Sequence, residues 1–234
     1  MRMFFLSVGI IVLLAATTVA ANADVRPYTW AYGYMTPAQG ELELEWWGEF
    51  RKGIESSFVS PQLEVEYGLT DHWVAGLYGV FEKEGAEPWG TEIKLEQRYR
   101  LFEPGVLPVD TAFYLEYAHN LKEGADELEE KIILSKDIGS FNATVNLIAE
   151  ENFRTSETEY GYAGGASYQL SEGIRPGVEA FGGWEGSESQ HYVGPPVQVS
   201  LGKVWLNAGM GFGLTNESDR FRARLIVSHE LSLF

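Results

Sequence analysis

Carboxylates recur at alternate positions early in the chain, and this spacing is the sequence feature with the clearest chemical meaning. Glu41, Glu43, Glu45 and Glu49 are separated by apolar or small residues. On a β-strand, residues two apart point to the same side, so these carboxylates would form one acidic face. If water reaches that face, its field attracts cations. If lysines and arginines pair with it, the charges only neutralise one another. Both interpretations stay open here.

Catalysis would need a constellation of side chains that the sequence does not show. His119 and His191 come nearest to a hydrolase arrangement, because Ser187 and Ser189 lie in a neighbouring predicted loop. Both histidines have the parity of the apolar face, so we interpret them as residues of a membrane interface. Cysteine is absent, which excludes thiolate ligands and disulfides. We predict no enzyme, no cofactor and no metal site.

The formal charge of −17 comes from 34 acidic and 17 basic residues. It argues against a nucleic-acid partner, because no basic stripe offsets the repulsion of phosphates. Aromatic residues make up 14% of the chain, which is typical of a membrane barrel with aromatic girdles. The composition therefore favours a membrane β-protein.

The first 23 residues predict a cleaved signal peptide. Arg2 precedes an apolar run over 4–16, and Ala21-Asn22-Ala23 has the small-x-small pattern that a signal peptidase reads. The apolar run is short for a transmembrane helix. Residues 24–39 follow as an N-terminal periplasmic segment, which we expect to lie along the periplasmic rim. Because this segment is aromatic, entry into a barrel lumen as a partial plug is the alternative.

The elements that would position the carboxylates are strands, since the apolar period along the chain is two. Leu42, Leu44 and Trp46 alternate with the first glutamates, and similar alternation recurs in twelve stretches of the chain. No later apolar run is long enough for a transmembrane helix. We predict an all-β fold: a transmembrane up-and-down antiparallel β-barrel of about 12 strands over residues 40–234.

A soluble β-sandwich would also alternate, but two features favour the barrel. Tight connections such as 137–140 and 201–203 alternate with longer acidic ones such as 82–91 and 151–159, as in outer-membrane barrels. Ionised residues also stand in mid-strand, opposite the apolar face. A sandwich core would not tolerate them, whereas a wet lumen would.

We assign to the lumenal face the charged residues whose parity is opposite to that of the apolar ladder. The candidates are Glu41, Glu43, Glu45, Glu49, Glu64, Glu66, Glu92, Lys94, Glu96, Arg98, Arg100, Glu116, Glu179, Arg222 and Arg224. Carboxylates predominate, so the lumen is expected to be net acidic. Closure would set the last strand beside the first, with Arg222 and Arg224 at the level of Glu45 and Glu49.

Two features depart from the pattern. Pro195 and Pro196 lack the amide donors that a closed sheet needs, which predicts a break or bulge near the outer rim. Glu130 has the parity of the lipid-facing side, and we expect it near the membrane interface, where its energetic cost is small.

The ending Leu231-Ser232-Leu233-Phe234 is similar to the C-terminal signal of outer-membrane barrels, although its apolar ladder is one residue out of phase with Phe234. The stretches 39–46 and 64–73 resemble a broad group of small, mostly uncharacterised proteobacterial outer-membrane barrels. Some of these are described as porins or as transport proteins of aromatic-compound pathways. The resemblance implies the barrel fold and, through Phe234, the barrel-assembly machinery as a partner. It assigns no functional residue.

Together these features predict a bacterial outer-membrane protein that acts as a passive diffusion pore for small solutes or cations. We expect it to be a monomer in contact with outer-membrane lipid. A filled barrel with a structural or surface-interaction role is the first alternative, because side chains can fill a small barrel. An outer-membrane enzyme is the second.

Overall fold

The computed structural model describes residues 25–53, 56–122, 124–186 and 188–232. The predicted signal peptide and Phe234 lie outside the described residues. Within them no helix is long and apolar enough to cross a membrane. The strands are β1 Glu41–Lys52, β2 Ser57–Thr70, β3 Trp73–Glu84, β4 Gly90–Arg100, β5 Asp110–Asn120, β6 Ala125–Ile138, β7 Phe141–Asn152, β8 Glu157–Tyr168, β9 Ile174–Glu185, β10 Glu188–Gly194, β11 Pro196–Leu201, β12 Val204–Gly213 and β13 Phe221–Ser232.

The strands form one closed antiparallel barrel. β1 pairs with β2 on one side and with β13 on the other, from Glu41 beside Ser232 to Lys52 beside Phe221. β10 and β11 lie end to end as two halves of one strand, because both pair with β9 and with β12. The barrel therefore has twelve strands, which confirms the predicted fold.

The tenth barrel strand is broken at its prolines. β10 ends at Gly194, and β11 begins at Pro196, which lies opposite Gly209 in the middle of β12. The predicted break is present, but it lies at mid-height and not near the outer rim. Proline withholds its amide donor wherever it stands, and the residues on both sides of the break pair normally with β9.

Burial alternates along the strands. Leu63 and Val65 on β2 are 59% and 41% exposed, whereas Glu64 and Glu66 are 2% and 3% exposed. Large apolar side chains cover the outer surface of the barrel, and a continuous apolar band of this kind is stable in hydrocarbon. The architecture is that of a bacterial outer-membrane barrel, with its polar face turned inward.

We call the end of the barrel that holds Glu41 and Ser232 the turn end, and the opposite end the loop end. The tight connections at the turn end are 71–72, 139–140 and 202–203. The contrast between the two ends is weaker than predicted, because the long connection 101–109 also lies at the turn end. In addition, half of the stretch 82–91, the first acidic stretch predicted as a loop, is strand, since β3 continues to Glu84 and β4 begins at Gly90.

Glu130 is exposed on the outer surface, as its parity predicts. It lies deeper than expected, because β6 begins five residues earlier, at Ala125. At the rise and tilt of barrel strands this places Glu130 roughly 10 Å from the loop end of the strand. That this depth lies at the membrane interface stays a prediction.

Candidate functional site in the barrel lumen

The N-terminal segment lies inside the barrel. Residues 26–36, which we call the lumenal segment, are buried except for Pro27 and Met35, which are half-buried. The segment contacts side chains from several strands of the wall, among them Asn146 on β7, Glu179 on β9 and Asn207 on β12. It therefore does not lie along the periplasmic rim, and that expectation is corrected. The physical reason is that twelve strands enclose more space than their own side chains fill, and inward polar groups need partners.

Glu179 holds the centre of the segment through main-chain hydrogen bonds. Its carboxylate accepts from the amide of Thr29 at 3.0 Å, of Trp30 at 2.8 Å and of Ala31 at 2.6 Å. Successive amides that converge on one anion form a nest, which is a strong arrangement for a buried carboxylate. Glu179 is 1% exposed, and these three donors satisfy its charge.

Two asparagines bind further main-chain atoms of the lumenal segment. The Asn146 side chain accepts from the Tyr32 amide at 2.6 Å and donates to the Tyr32 carbonyl at 3.0 Å. Asn207 donates to the carbonyl of Arg26 at 2.8 Å. Both asparagines are fully buried, so their amide groups depend on the segment for partners.

Side chains of the segment add specific contacts. The Tyr28 hydroxyl donates to Asn142, with 2.9 Å to both its carbonyl and its side-chain oxygen. Burial raises the pKa of the Tyr28 phenol to about 12, so the hydroxyl stays protonated and keeps its hydrogen to donate. The Thr29 hydroxyl donates to Asn207 Oδ1 at 2.7 Å.

Arg26 occupies an acidic and aromatic pocket. Its Nη1 lies 4.0 Å from Glu45 Oε2, and its guanidinium carbon lies 3.8 Å from the ring centroid of Tyr32 and 4.5 Å from that of Trp47. Ring faces and a carboxylate both favour a cation in a space without water. The pocket therefore suits a basic side chain.

Glycine on the wall makes room for the segment. A Cβ atom on Gly209 would lie 2.2 Å from Thr29 Oγ1 and 2.8 Å from Thr29 Cβ, which is closer than non-bonded atoms can approach. On Gly165 a Cβ atom would lie 2.6 Å from the ring of Tyr28. The inward glycines of the late strands thus shape the lumen around the segment.

Each charged residue assigned to the lumenal face by alternation has a buried or half-buried side chain on the inner side of its strand. Those that are buried are Glu43, Glu45, Glu49, Glu64, Glu66, Glu96, Arg98, Arg100, Glu116 and Glu179. Those that are half-buried are Glu41, Glu92, Lys94, Arg222 and Arg224. Whether they line a conducting path stays a prediction.

The closing seam between β1 and β13 is held by a charge cluster. Glu49 accepts from Arg222 Nε at 3.0 Å and from Arg224 Nε at 2.9 Å, and Glu49 lies opposite Arg224 in the register. The predicted pairing is confirmed for Glu49. It is wrong for Glu45, which lies opposite Ser228, four register positions nearer the turn end than the pair of Glu49 and Arg224.

Three carboxylates meet on the wall formed by β2 and β4. Oxygens of Glu64, Glu66 and Glu96 lie within 4.8 Å of one another, a set that could ligate a divalent cation by ligand type. However, Arg98 Nη2 lies 3.2 Å from Glu66 Oε2, and the Tyr78 hydroxyl donates to Glu96. The guanidinium already supplies positive charge there, so we interpret the cluster as a buried charge network.

Nearer the loop end than this carboxylate cluster, two lysines form ion pairs with glutamates. Lys94 Nζ lies 2.9 Å from Glu116 Oε1 and 3.3 Å from Glu92 Oε1, and Lys131 Nζ lies 2.7 Å from Glu129 Oε1. Both cations are therefore neutralised by carboxylates of the same wall.

The remaining predicted residues lie toward the turn end. Glu43 accepts from Trp205 Nε1 at 2.6 Å. Arg100 donates to the Asp71 carbonyl at 2.8 Å. Glu41 accepts from the Ala38 amide at 2.8 Å, where the chain leaves the lumen to begin β1.

Between the lumenal segment and the loop end the lumen opens into a cavity of about 510 Å³, which we call the vestibule. Trp30 of the segment stacks on Phe181 with ring centroids 4.0 Å apart, and Phe181 stacks on Tyr192 at 5.0 Å. A side pocket of about 250 Å³ lies next to the vestibule. The charged residues that line the side pocket are Glu82, Glu92, Glu116, Glu127, Glu129, Glu150 and Lys94.

Several side chains that hold the lumenal segment are uncharged and were not among the predicted site residues. Asn146, Asn207 and Trp47 are buried on the inner face, where alternation along their strands places them. Amides and tryptophan carry no charge, so the pattern of ionised residues does not reveal them. His119 was considered for catalysis in the sequence. Its Nδ1 atom lies 2.5 Å from Oδ1 of Asp126 on the outer surface, and both side chains are about 40% exposed.

No protein-family model matches the chain, and no curated protein matches it. Solved structures do resemble it. An outer membrane channel from Pseudomonas putida F1 has a TM-score of 0.64 at 12% identity, covering 85% of this chain and 98% of the other. The NanC porin has a TM-score of 0.61 at 12% identity, covering 80% and 100%. The KdgM porin, solved in complex with disordered oligogalacturonate, has a TM-score of 0.60 at 10% identity, covering 82% and 99%. At these identities the likeness establishes the fold.

Proposed function

We propose that this protein is an outer-membrane channel for small cationic solutes and that the lumenal segment closes it in the conformation described here. The observation that carries the proposal is the acidic side pocket beside the vestibule, and the vestibule itself is open toward the loop end and stops at Trp30 of the segment. A barrel with only a structural role has no need for an acidic pocket that opens into a cavity of about 510 Å³.

The charge of the cavity supports cations as the solutes. In the side pocket six glutamates surround a single lysine, Lys94, which is itself paired with Glu116 and Glu92. Unbalanced carboxylates in a cleft with walls of low dielectric concentrate cations at its mouth. The same field repels anions, so it selects by charge before any contact is made.

The way in which the segment is bound makes its release feasible. Its polar contacts with Glu179, Asn146 and Asn207 are hydrogen bonds, and water can replace such bonds when the segment leaves. A hydrogen bond between neutral groups contributes only about 1 kcal/mol net, and one to a charged group about 1.5–3 kcal/mol. The barrel strands, in contrast, form a closed ladder that does not depend on the segment.

Similar folds among porins and channels support this class of function. The KdgM porin was solved with oligogalacturonate, which is a polyanion, whereas the interior of the present barrel is net acidic. We therefore place the solutes of this protein among cations and not among acidic oligosaccharides.

Currents across a planar bilayer under a salt gradient test the proposal. Replacing Glu129 and Glu150 by Gln is expected to shift the reversal potential toward zero, because both line the acidic side pocket. Glu217→Gln is the matched control, since Glu217 is exposed in the connection 214–220. Current steps with no cation preference would contradict the cationic selectivity. Complete absence of current in the wild type and in variants that release the segment would contradict the channel.

A filled barrel with a structural role is the second candidate, and the deep burial of the lumenal segment favours it. The two functions differ in one measurement. A structural barrel would lose stability when the segment is released and would gain no conductance, whereas a channel gains conductance.

A further inference from the structure

We propose that the site which the lumenal segment occupies is a binding site for short cationic peptides. This inference rests on the proposed channel function and names a class of ligand for it. In the described conformation, residues 26–36 act as a built-in occupant that a peptide from outside would replace.

The barrel wall binds main-chain atoms of the segment. Glu179 accepts three consecutive amides at 2.6–3.0 Å, and Asn146 binds both the amide and the carbonyl of Tyr32. Asn207 donates to the carbonyl of Arg26, and Arg224 Nη1 donates to that of Thr29 at 3.3 Å. Every peptide offers these donors and acceptors, so the set does not require the sequence of this segment.

The wall side chains that bind the segment are buried and stand on paired strands. Glu179, Asn146 and Asn207 are each at most 1% exposed. They project from β9, β7 and β12, which are paired on both sides. A site carried on strands keeps its geometry when the occupant leaves, and buried polar groups then need a replacement partner.

Selectivity comes from two pockets for side chains. Arg26 lies against Glu45 and the ring of Trp47, a pocket that prefers a basic side chain. Four residues later, Trp30 stacks on Phe181, which suits an aromatic side chain. The favoured peptide therefore has a basic residue and an aromatic residue four positions after it.

Access is available from the loop end, because Trp30 forms part of the wall of the vestibule. The excess of carboxylates in the side pocket next to the vestibule would draw a cationic peptide toward the site.

The test uses the full chain with Thr29→Pro and Ala31→Pro, which removes two of the three amides bound by Glu179 and leaves the barrel wall unchanged. The probe is a fluorescently labelled synthetic peptide with the sequence of residues 25–36. Fluorescence anisotropy in detergent micelles should show saturable binding to this variant. Binding to the wild type should be at least about tenfold weaker, because its own segment competes.

Two altered probes separate main-chain recognition from other causes. A peptide N-methylated at the three amides that Glu179 accepts keeps every side chain, and it should bind at least about tenfold more weakly, since it has lost three charge-assisted donors. A peptide with Gln in place of its arginine should bind more weakly as well. Equal binding of the parent and N-methylated peptides, or no binding to a folded variant, would overturn the proposal.

A second measurement applies if the proline variant does not fold. Excess parent peptide added to the wild type should speed hydrogen exchange at the amides of Thr29, Trp30 and Ala31, whereas the N-methylated peptide should not. Unchanged exchange with both peptides would likewise overturn the proposal. Current through the proline variant without block by the peptide would refute peptide binding alone, whereas peptide binding without any current would refute the channel.

Discussion

Gly209 shows how a single residue sets the state of the lumen. Its missing side chain is what allows Thr29 to lie against β12. Its neighbours across the sheet are Pro196 and Arg224, so β12 is flanked by a strand on each side at this height. An atom added at this position lies against Thr29 and Trp30 of the segment.

We expect Gly209→Ala to raise the fraction of open channels. The new Cβ would lie 2.2 Å from Thr29 Oγ1, and overpacking of this kind costs about 1–3 kcal/mol. That cost lowers the equilibrium constant for the bound segment by about fivefold to 150-fold. Single-channel recording in a planar bilayer measures the open fraction. Gly79→Ala is the matched control, because a Cβ there has no neighbour within 4 Å. Equal open fractions in the two variants would argue against displacement of the segment.

At the scale of elements, the lumenal segment and the strands have different kinds of stability. The strands belong to a closed ladder in which each strand pairs on both sides, so none can leave alone. The segment is tied to the wall mainly through side chains such as Glu179 and Asn146. It is therefore the element that can move while the barrel stays intact.

A cysteine pair tests this difference directly, since the natural chain has no cysteine. The Thr29 hydroxyl and Asn207 Oδ1 are 2.7 Å apart, so Thr29→Cys with Asn207→Cys brings two thiols close together. The oxidised variant should conduct no more than the wild type, and reduction should raise its conductance. Asn207→Cys alone should be insensitive to the reductant. Identical currents before and after reduction of a confirmed disulfide would show that the segment does not gate the channel.

At the scale of the whole molecule, the excess of acidic residues produces an electrostatic field that acts on ions in solution. The chain has a net charge of −17. Part of this acidic excess lies inside the barrel, because six glutamates and one lysine line the side pocket. Fields of this kind act over the screening length of the salt, which falls from about 30 Å at 0.01 M to about 3 Å at 1 M.

The preference for cations should therefore fall as salt is raised. We expect a clear reversal potential of cationic sign in gradients near 0.01 M and a small one near 1 M, measured on the open form such as Gly209→Ala. A preference independent of salt would indicate selection by close contact and not by the field of the glutamates.

Alternation along the chain was sufficient to predict the barrel. Leu63 and Glu64 are neighbours with opposite surroundings, 59% and 2% exposed, because a strand turns each successive side chain to the other face. The same local rule placed Glu179 and Arg224 on the inner side. The missing amide donor of proline predicted the break at Pro195 along the sequence, although not its position at mid-height of the barrel.

What fills the lumen was decided only by the tertiary structure. Ala31 binds Glu179, which lies 148 positions further along the chain, and Tyr32 binds Asn146 at a separation of 114. Such pairs meet only when the sheet closes, and no period or motif in the segment records where they will lie. The sequence by itself determined which side chains face inward. Closure of the barrel determined which of them converge on residues 26–36. Main-chain amides are chemically alike, so the carboxylate that each one binds depends on where the closed wall places that carboxylate.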